Sequence, residues 1–375
     1  MLNLKRTPLF DAHQSLGARC VDFGGWEMPV QYEGIVAEHQ AVRNAAGIFD
    51  ISHMGEIMVG GAHSTDFLDS SLTNQASSLV VGGAQYSLMC NAQGGVIDDL
   101  YVYRIAKEVF LLIVNASRIE EDLSQLQKLV QEYGKDRTVN VVNESNQLSA
   151  VAIQGPNVRL FVDKLFNMKG LIQVDKPSDL SKNQIDVFTF IKNDVYVANT
   201  GYTGESGFEI VGPSEIIAEL WHRLIKLGQP HGLKPAGLGA RDTLRMEMGY
   251  PLYGNELSES VTPLEAGLGY FVDLNKPFCG RDRLSELKAN GLNRRNLAFQ
   301  MSSKSPPPRQ GYPVSTDGII IGSVTSGTQS PSLKTGIGMA LIREPHDKIG
   351  NRIEIEIRGR LFPAIIKRKP LYIKS

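Results

Sequence analysis

The sequence predicts an α+β protein whose C-terminal part is all-β, and three observations carry that expectation. Helix-period and strand-period segments are intermixed over most of the chain. From about Asn296 the helical pattern stops, and short strands alternate with Gly, Pro and Ser turns up to Tyr372, a run of about one hundred residues. The chain has 375 residues, and that length suggests two or three domains rather than one small core.

Taken in order, Glu33 to Ala46 reads as a helix with Gly47 as its C-terminal cap. Phe49 to Val59 follows as a strand carrying Asp50 and His53, and Ala62 to Leu72 as a short helix. Val96–Ile105 and Val109–Asn115 form a hairpin. Ser117 is placed to cap an amphipathic helix with Ile119, Leu123, Leu126, Val130 and Tyr133 on one stripe. Strands near Val139–Val142 and Leu148–Ile153 lead to Gly155-Pro156 and a further helix. Val195 to Ile210 reads as two strands pinched by GYTGESG, Ser214 as the cap of a helix running toward Gly228, and Leu238 to Met248 as a helix. Pro306-Pro307-Pro308, with strands on both sides, reads as a surface loop inside the all-β region.

Composition narrows the function classes. Hydrophobic content of 42% and charged content of 21% are those of an ordinary globular protein. A net charge of −1 provides no global field for nucleic acid or membrane. A charged partner would have to read a local patch, such as Lys5-Arg6 or Lys367-Arg368-Lys369. The three cysteines, Cys20, Cys90 and Cys279, form no CxxC pair, so neither a disulfide framework nor a structural zinc site is expected. With no long apolar run in the sequence, a cytoplasmic location is expected.

The stretch Asn91–Arg104, NAQGGVIDDLYVYR, carries the sharpest chemical signal. A strand leaves a tight turn there, and alternation puts Ile97, Asp99, Tyr101 and Tyr103 on one face and Asp98, Leu100 and Val102 on the other. A carboxylate aligned with an isoleucine and two tyrosines is poorly hydrated, and burying a charge unpaired is costly. A ligand nitrogen that gains positive charge would supply the missing partner. A lone Asp99 would instead read as a loop cap; the accompanying motifs decide between the two.

Those motifs are FDISHMG at Phe49–Gly55, AQYSLMCN at Ala84–Asn91, GYTGESGFE at Gly201–Glu209, GLGARDTLRME at Gly237–Glu247, LYGNE at Leu252–Glu256 and GSVTSGTQSPSL at Gly322–Leu333. With GARCVDFGGWEMPVQY at Gly17–Tyr32, they resemble in order and spacing the aminomethyltransferase (T-protein) family of the glycine cleavage system, from Thr7 through Pro370. The resemblance implies a multi-subdomain folate-binding aminomethyltransferase fold shaped like a cloverleaf. Residues 1–280 would form the folate-binding region of two subdomains, and 281–375 a barrel-like C-terminal domain. It also implies transfer of a one-carbon unit from an aminomethyl-lipoyl H-protein to tetrahydrofolate, releasing ammonia and forming methylenetetrahydrofolate. Tetrahydrofolate would be a co-substrate, with no metal, flavin or nicotinamide. No Rossmann fingerprint and no metal-spaced His/Cys cluster occurs in the sequence.

The resemblance assigns the essential aspartate to the second of the Asp-Asp pair, Asp99, which alternation singles out independently. A fixed carboxylate there would stabilise the cation-like carbon left as ammonia departs and orient the pterin nitrogen. Asp98 is then expected to be structural. Glu209 would accept from the amide-like N–H and amino group of the pterin; Glu205, in the turn, is the competitor and is ranked lower because turn residues are usually exposed. Arg241 resembles a folate-contacting arginine, against the alternative of a helix-surface ion pair with Asp242 or Glu247. Tyr86, Tyr103, Asn115 and Tyr270 match positions lining the folate slot. His53 is expected to be neutral and structural, bonded to backbone near Asp50. Two other activities share the fold: a folate-dependent demethylase, which needs no lipoyl partner, and a non-catalytic folate-binding protein supporting iron–sulfur assembly, which would carry a reactive cysteine motif that this sequence lacks.

Overall fold

The computed structural model describes residues 4–134 and 136–374. Its packing falls into two units. The first comprises Met1–Ser71, Gln75–Ser87 and Leu100–Arg241; the second comprises Leu72–Asn74, Leu88–Asp99 and Asp242–Ser375.

The first unit is built on two facing sheets. One runs in the order Ile185–Phe190, Asn193–Ala198, Gly207–Pro213, Leu148–Gln154, Ala46–Asp50, Leu233–Pro235, antiparallel except for the last pair. Alternation divides its side chains. Ile48, Val151, Ile153, Phe208 and Ile210 pack with Ile217, Leu220, Trp221 and Leu224 of the helix Ser214–Gly228. On the other side of the same strands stand Ala150, Ala198, Glu209 and Val211. The second sheet runs Ala84–Cys90, Val96–Ala106, Val109–Val114, Gly55–Gly60, Asn140–Asn143. Its Met58, Tyr101, Tyr103, Leu111 and Ile113 meet Ile185, Tyr196 and Ala198 of the first sheet. The inner faces of both sheets are therefore covered, and a polar residue placed there is enclosed.

The N-terminal segment is tied to this body by a buried polar chain. Thr7 donates its hydroxyl to Asp50 Oδ2 at 2.6 Å, His13 Nε2 lies 2.8 Å from the same oxygen, and Tyr32 Oη lies 2.9 Å from His13 Nδ1. Burial alone would raise the Asp50 pKa, but the His13 and Thr7 bonds outweigh it and hold the carboxyl below its ordinary value.

Four local expectations are corrected. The first helix ends at Asn44, and Gly47 lies inside the strand Ala46–Asp50. A Cβ on Gly47 would meet Val42 Cγ2 at 2.4 Å, so the glycine serves close packing rather than a cap. Phe49–Val59 is two strands in different sheets, because the Asp50 carboxylate accepts the Ser52 N–H at 2.8 Å and turns the chain before Gly55. Neither Ser117 nor Ser214 caps a helix. The first of those helices begins at Ile119 with Glu120, Glu121 and Asp122 in its first turn, which suit the helix dipole, and Ser214 Oγ instead meets Ser149 Oγ at 2.8 Å. After Gly155-Pro156 only short 3-10 turns occur, at Val158–Leu160 and Val162–Leu165.

The second unit contains the all-β region as a closed barrel. Its strands follow in the order Arg294–Met301, Thr335–Arg343, Ile319–Ser330, Pro313–Thr316, Arg352–Ile357, Arg360–Lys367, and the last pairs back to the first. Closure removes exposed sheet edges, and Phe299, Val324, Ile342, Ile355 and Ile366 fill the interior. Gly338 is required where Phe299 crosses it, since a Cβ would lie 2.3 Å from the ring.

Arg245 joins the rest of this unit to the barrel. Its guanidinium donates to Asp242 at 2.9 Å, to the Tyr250 carbonyl at 2.9 Å, to Glu256 at 3.1 Å and to Ser326 Oγ on a barrel strand at 3.0 Å. The Arg245 side chain is 2% exposed and that of Glu256 is fully buried. Removing one partner of a buried pair leaves the other charge uncompensated. Arg245→Met is therefore expected to destabilise the second unit by about 3–5 kcal/mol, read as a lowered urea midpoint; an unchanged midpoint would show that the pair contributes nothing net.

Candidate functional site

A cavity opens between the two sheets of the first unit. Most of its wall is apolar and comes from the strand faces described above, with Met54 and Ile51 from the turn after Ala46–Asp50. Its polar groups are few: Tyr103, Tyr196, Glu209 and Arg241. An apolar slot with a small number of convergent polar groups is the usual form of a small-molecule site.

The strand Gly207–Pro213 positions Glu209 because Phe208 and Ile210 are drawn into the helix-side core, which turns the residue between them to the cavity. Glu209 Oε2 accepts from Thr200 Oγ1 at 2.6 Å and, at a long 3.5 Å, from Tyr103 Oη, which also lies 3.0 Å from Thr200 Oγ1. Burial, with the Glu209 charge beside it, raises the Tyr103 pKa well above the ordinary phenol value, so the hydroxyl keeps its proton as a donor.

The GYTGESG turn is held by side chains. Gln154 donates to the Thr200 carbonyl at 3.1 Å and accepts from Thr203 Oγ1 at 2.8 Å. Gly201 allows this approach, since a Cβ would fall 2.0 Å from Gln154 Oε1. Arg43 donates to the Thr203 carbonyl at 2.7 Å and pairs with Glu205 at 3.0 Å, with side chains only 2% and 7% exposed. Glu205 is therefore not an exposed turn residue as expected; it is engaged by Arg43.

Arg241 stands at the cavity with its guanidinium carbon 5.0 Å from the Tyr202 ring centroid. Its Nη1 is buried and has no hydrogen-bond partner. Burial lowers its pKa from the usual arginine value, and the Glu209 and Tyr202 charges partly offset this. The alternative pairs for Arg241 are otherwise occupied: Asp242 accepts from Arg245, and Glu247 accepts from Ser330 Oγ at 2.5 Å and Ser332 Oγ at 3.0 Å. The site thus presents an unpaired donor and a carboxylate acceptor to whatever enters the slot.

The remaining expected residues fall as follows. Tyr86 is half-buried and meets Tyr101 edge-on at 6.1 Å, and Tyr101 stacks on Tyr103 at 5.5 Å. Asn115 is half-buried directly after the strand Val109–Val114, where its carbonyl accepts from Arg118 N–H at 2.9 Å. Asp99 belongs to the second unit's part of the strand Val96–Ala106. The alternation along that strand is as read: Asp98, Leu100 and Val102 are 0–2% exposed, while Asp99 and Tyr101 are half-buried. The fully buried carboxylate is therefore Asp98, and Asp99 keeps solvent access. Tyr270, also in the second unit, is 91% exposed and is not among the residues lining the cavity. Thr200, Tyr202 and Met54 went unread in the sequence. Thr200 and Tyr202 flank the first glycine of GYTG, where attention to the turn alone passes over side chains that point back at the site.

His53 is neutral, as expected, but is not held by a backbone bond through Nδ1, which is buried without a partner. Its ring meets Phe23 edge-on at 5.5 Å. Burial lowers its pKa to about 4; Arg241 adds to this and Asp50 opposes it.

The chain matches two family models: GCVT N-terminal domain over residues 9–276 and Glycine cleavage T-protein C-terminal barrel domain over residues 294–372. It is 46% identical to proteins named aminomethyltransferase from Thermoanaerobacter pseudethanolicus and Bacillus cytotoxicus, covering 100% of this chain and 99% and 100% of theirs. It is also similar to the crystal structure of the glycine cleavage system aminomethyltransferase T from Bartonella henselae, with a TM-score of 0.89 and 30% identity over 99% of this chain and 98% of that one.

The depressed His53 pKa sets a pH dependence. At pH above 6.5 the residue is neutral whether folded or unfolded. Between 6.5 and about 4 only the unfolded chain takes the proton, so stability falls as pH falls, by about 3 kcal/mol in total. His53→Gln is expected to flatten that part of the stability–pH curve in urea titrations; an unchanged slope would contradict a neutral buried histidine.

Proposed function

The chain belongs to the glycine cleavage T-protein family, and from that premise we propose how its site performs aminomethyl transfer. It is an aminomethyltransferase of the glycine cleavage system. Its one-carbon donor is the aminomethyl group on the lipoyl arm of an H-protein, and its acceptor is tetrahydrofolate. The observation that carries the folate assignment is the cavity of the first unit, where Glu209 and the unpaired Nη1 of Arg241 meet in an otherwise apolar slot. A flat ring with N–H donors on one edge suits a carboxylate acceptor between apolar walls. Tyr86 and Tyr103 offer aromatic surface to the pterin and aminobenzoyl groups, and Asn115 a further polar contact. Tyr270, exposed on its short helical turn, is the remaining aromatic assigned to folate in this reading.

Asp99 is the catalytic residue in this reading. The transferred carbon sits between nitrogen and sulfur, and departure of ammonia leaves it electron-poor. A carboxylate facing that carbon stabilises the charge and orients the first folate nitrogen that attacks it; the lipoyl sulfur then leaves as a thiol and the second folate nitrogen closes the methylene bridge, the two folate N–H protons leaving on the ammonia and the thiol. The partial solvent access of Asp99 supports this role over that of Asp98, whose side of the strand is fully buried. For the carrier, exposed Lys367 and Arg368 supply positive charge to an acidic H-protein surface, so the apparent KM for H-protein should rise with added salt. A salt-independent KM would argue against that docking charge.

Asp99→Asn and Glu209→Gln separate chemistry from binding. With aminomethylated H-protein as donor, Asp99→Asn should lower kcat by about 10²-fold or more and leave tetrahydrofolate affinity within about threefold. Glu209→Gln loses charge-assisted bonds and should weaken folate binding about tenfold or more, with a smaller effect on kcat. Parallel losses of kcat and affinity in Asp99→Asn would sink the electrostatic role.

A further inference from the structure

Thr200 does not line the cavity, yet its hydroxyl holds the carboxylate that does. The residue is buried. Its Oγ1 donates to Glu209 Oε2 at 2.6 Å, against a long 3.5 Å for the bond from Tyr103 Oη. A hydroxyl has one proton to give. With that proton on Glu209, the 3.0 Å contact between Thr200 Oγ1 and Tyr103 Oη takes Tyr103 as its donor. The three groups thus form a directed chain, from Tyr103 through Thr200 to Glu209. Both hydroxyl protons are committed within it, so Tyr103 and Glu209 offer the slot acceptors.

The strands on either side of Glu209 cannot orient it. Its directly opposed neighbours are Ala198 and Ala152, whose methyl groups make no hydrogen bond. Thr200, by contrast, is fixed from behind. Its carbonyl accepts from Gln154 Nε2 at 3.1 Å, and the buried Gln154 side chain is wedged between the two ends of the turn. A Cβ on Gly201 would lie 2.0 Å from Gln154 Oε1, and one on Gly207 2.6 Å from its Nε2. We infer that Thr200 is the positioning residue of Glu209: by occupying Oε2 it turns Oε1 to the slot, and so sets the affinity for tetrahydrofolate. The inference rests on the folate reading of the site and names a residue that acts through Glu209 without touching the ligand. Without the Thr200 hydroxyl the carboxylate loses its short bond, and its orientation has to be fixed anew each time a ligand binds. An edge of adjacent N–H donors matches the acceptors so placed, and a heterocycle with an acceptor at that edge is rejected.

The test is equilibrium binding of tetrahydrofolate to the wild type, Thr200→Val, Thr200→Ser, Glu209→Ala and the double variant Thr200→Val/Glu209→Ala, with thermal denaturation of each. Valine keeps the shape of threonine without the hydroxyl, and serine keeps the hydroxyl. Thr200→Val is expected to bind about tenfold more weakly, and Thr200→Ser within about threefold of the wild type. With Glu209 already replaced by alanine there is no carboxylate to position, so Thr200→Val should weaken binding by less than about threefold further. A merely structural loss would repeat its full effect there. Wild-type affinity in a folded Thr200→Val, or the full loss repeated in the double variant, overturns the inference and leaves the folate reading intact. A wild type that does not bind tetrahydrofolate overturns both. Where Thr200→Val does not fold, Thr200→Ser compared with Thr200→Ala isolates the same hydroxyl, and equal affinities overturn the inference.

Discussion

Glu209 stands between two hydrophobic sheet faces, and the arrangement of the first unit follows from having to hold that carboxylate there. Its neighbours Phe208 and Ile210 belong to the core under the helix Ser214–Gly228, so the strand cannot turn Glu209 away without exposing both. Thr200 and Tyr103 donate to it from the two sides of the slot. The turn that carries Thr200 is in turn locked by Gln154 and by the Arg43–Glu205 pair. Partial satisfaction is the functional point. Thr200 and Tyr103 both reach Oε2, and Arg241 approaches without closing its own Nη1 bond. The polar groups are thereby placed before a ligand arrives, which lowers the ordering cost of binding.

The second unit solves a different problem. Its barrel has no open edge, and a single guanidinium, Arg245, connects the LYGNE loop, the helix Leu238–Met248 and a barrel strand. The sequence GARDTLRME thus serves two ends. Arg241 looks to the cavity, and Arg245, one helical turn later, is consumed by structure. Two arginines at helical spacing are alike in the sequence and differ only in which neighbours their helix face meets.

Much of this was legible beforehand, for physical reasons. The hairpin after Gly95, the helix Leu238–Met248 and the loss of helical pattern before the barrel all follow from local periodicity, and tertiary packing agrees with it. The alternation that separates Asp98 from Asp99 is visible in the burial of the strand, with Asp98, Leu100 and Val102 buried and Asp99 and Tyr101 half-buried. What failed was the inference from alternation to hydration: the face with the tyrosines is the more open one, and Asp98 lies in the core. Glu209 drew its role from the family resemblance, because a glutamate between Phe208 and Ile210 reads by pattern as a surface residue. It is enclosed because a second sheet covers the face that a single strand would leave to water, and sheet-on-sheet packing is not written in any one strand.

The account stands or falls on the transfer itself. Ammonia release and folate product should be measured with an aminomethylated, lipoyl-bearing H-protein, in the presence and absence of tetrahydrofolate. The account predicts release strongly stimulated by tetrahydrofolate, with methylenetetrahydrofolate formed in equal amount to the ammonia. Folate that binds without stimulating release, or ammonia without the folate product, would contradict it.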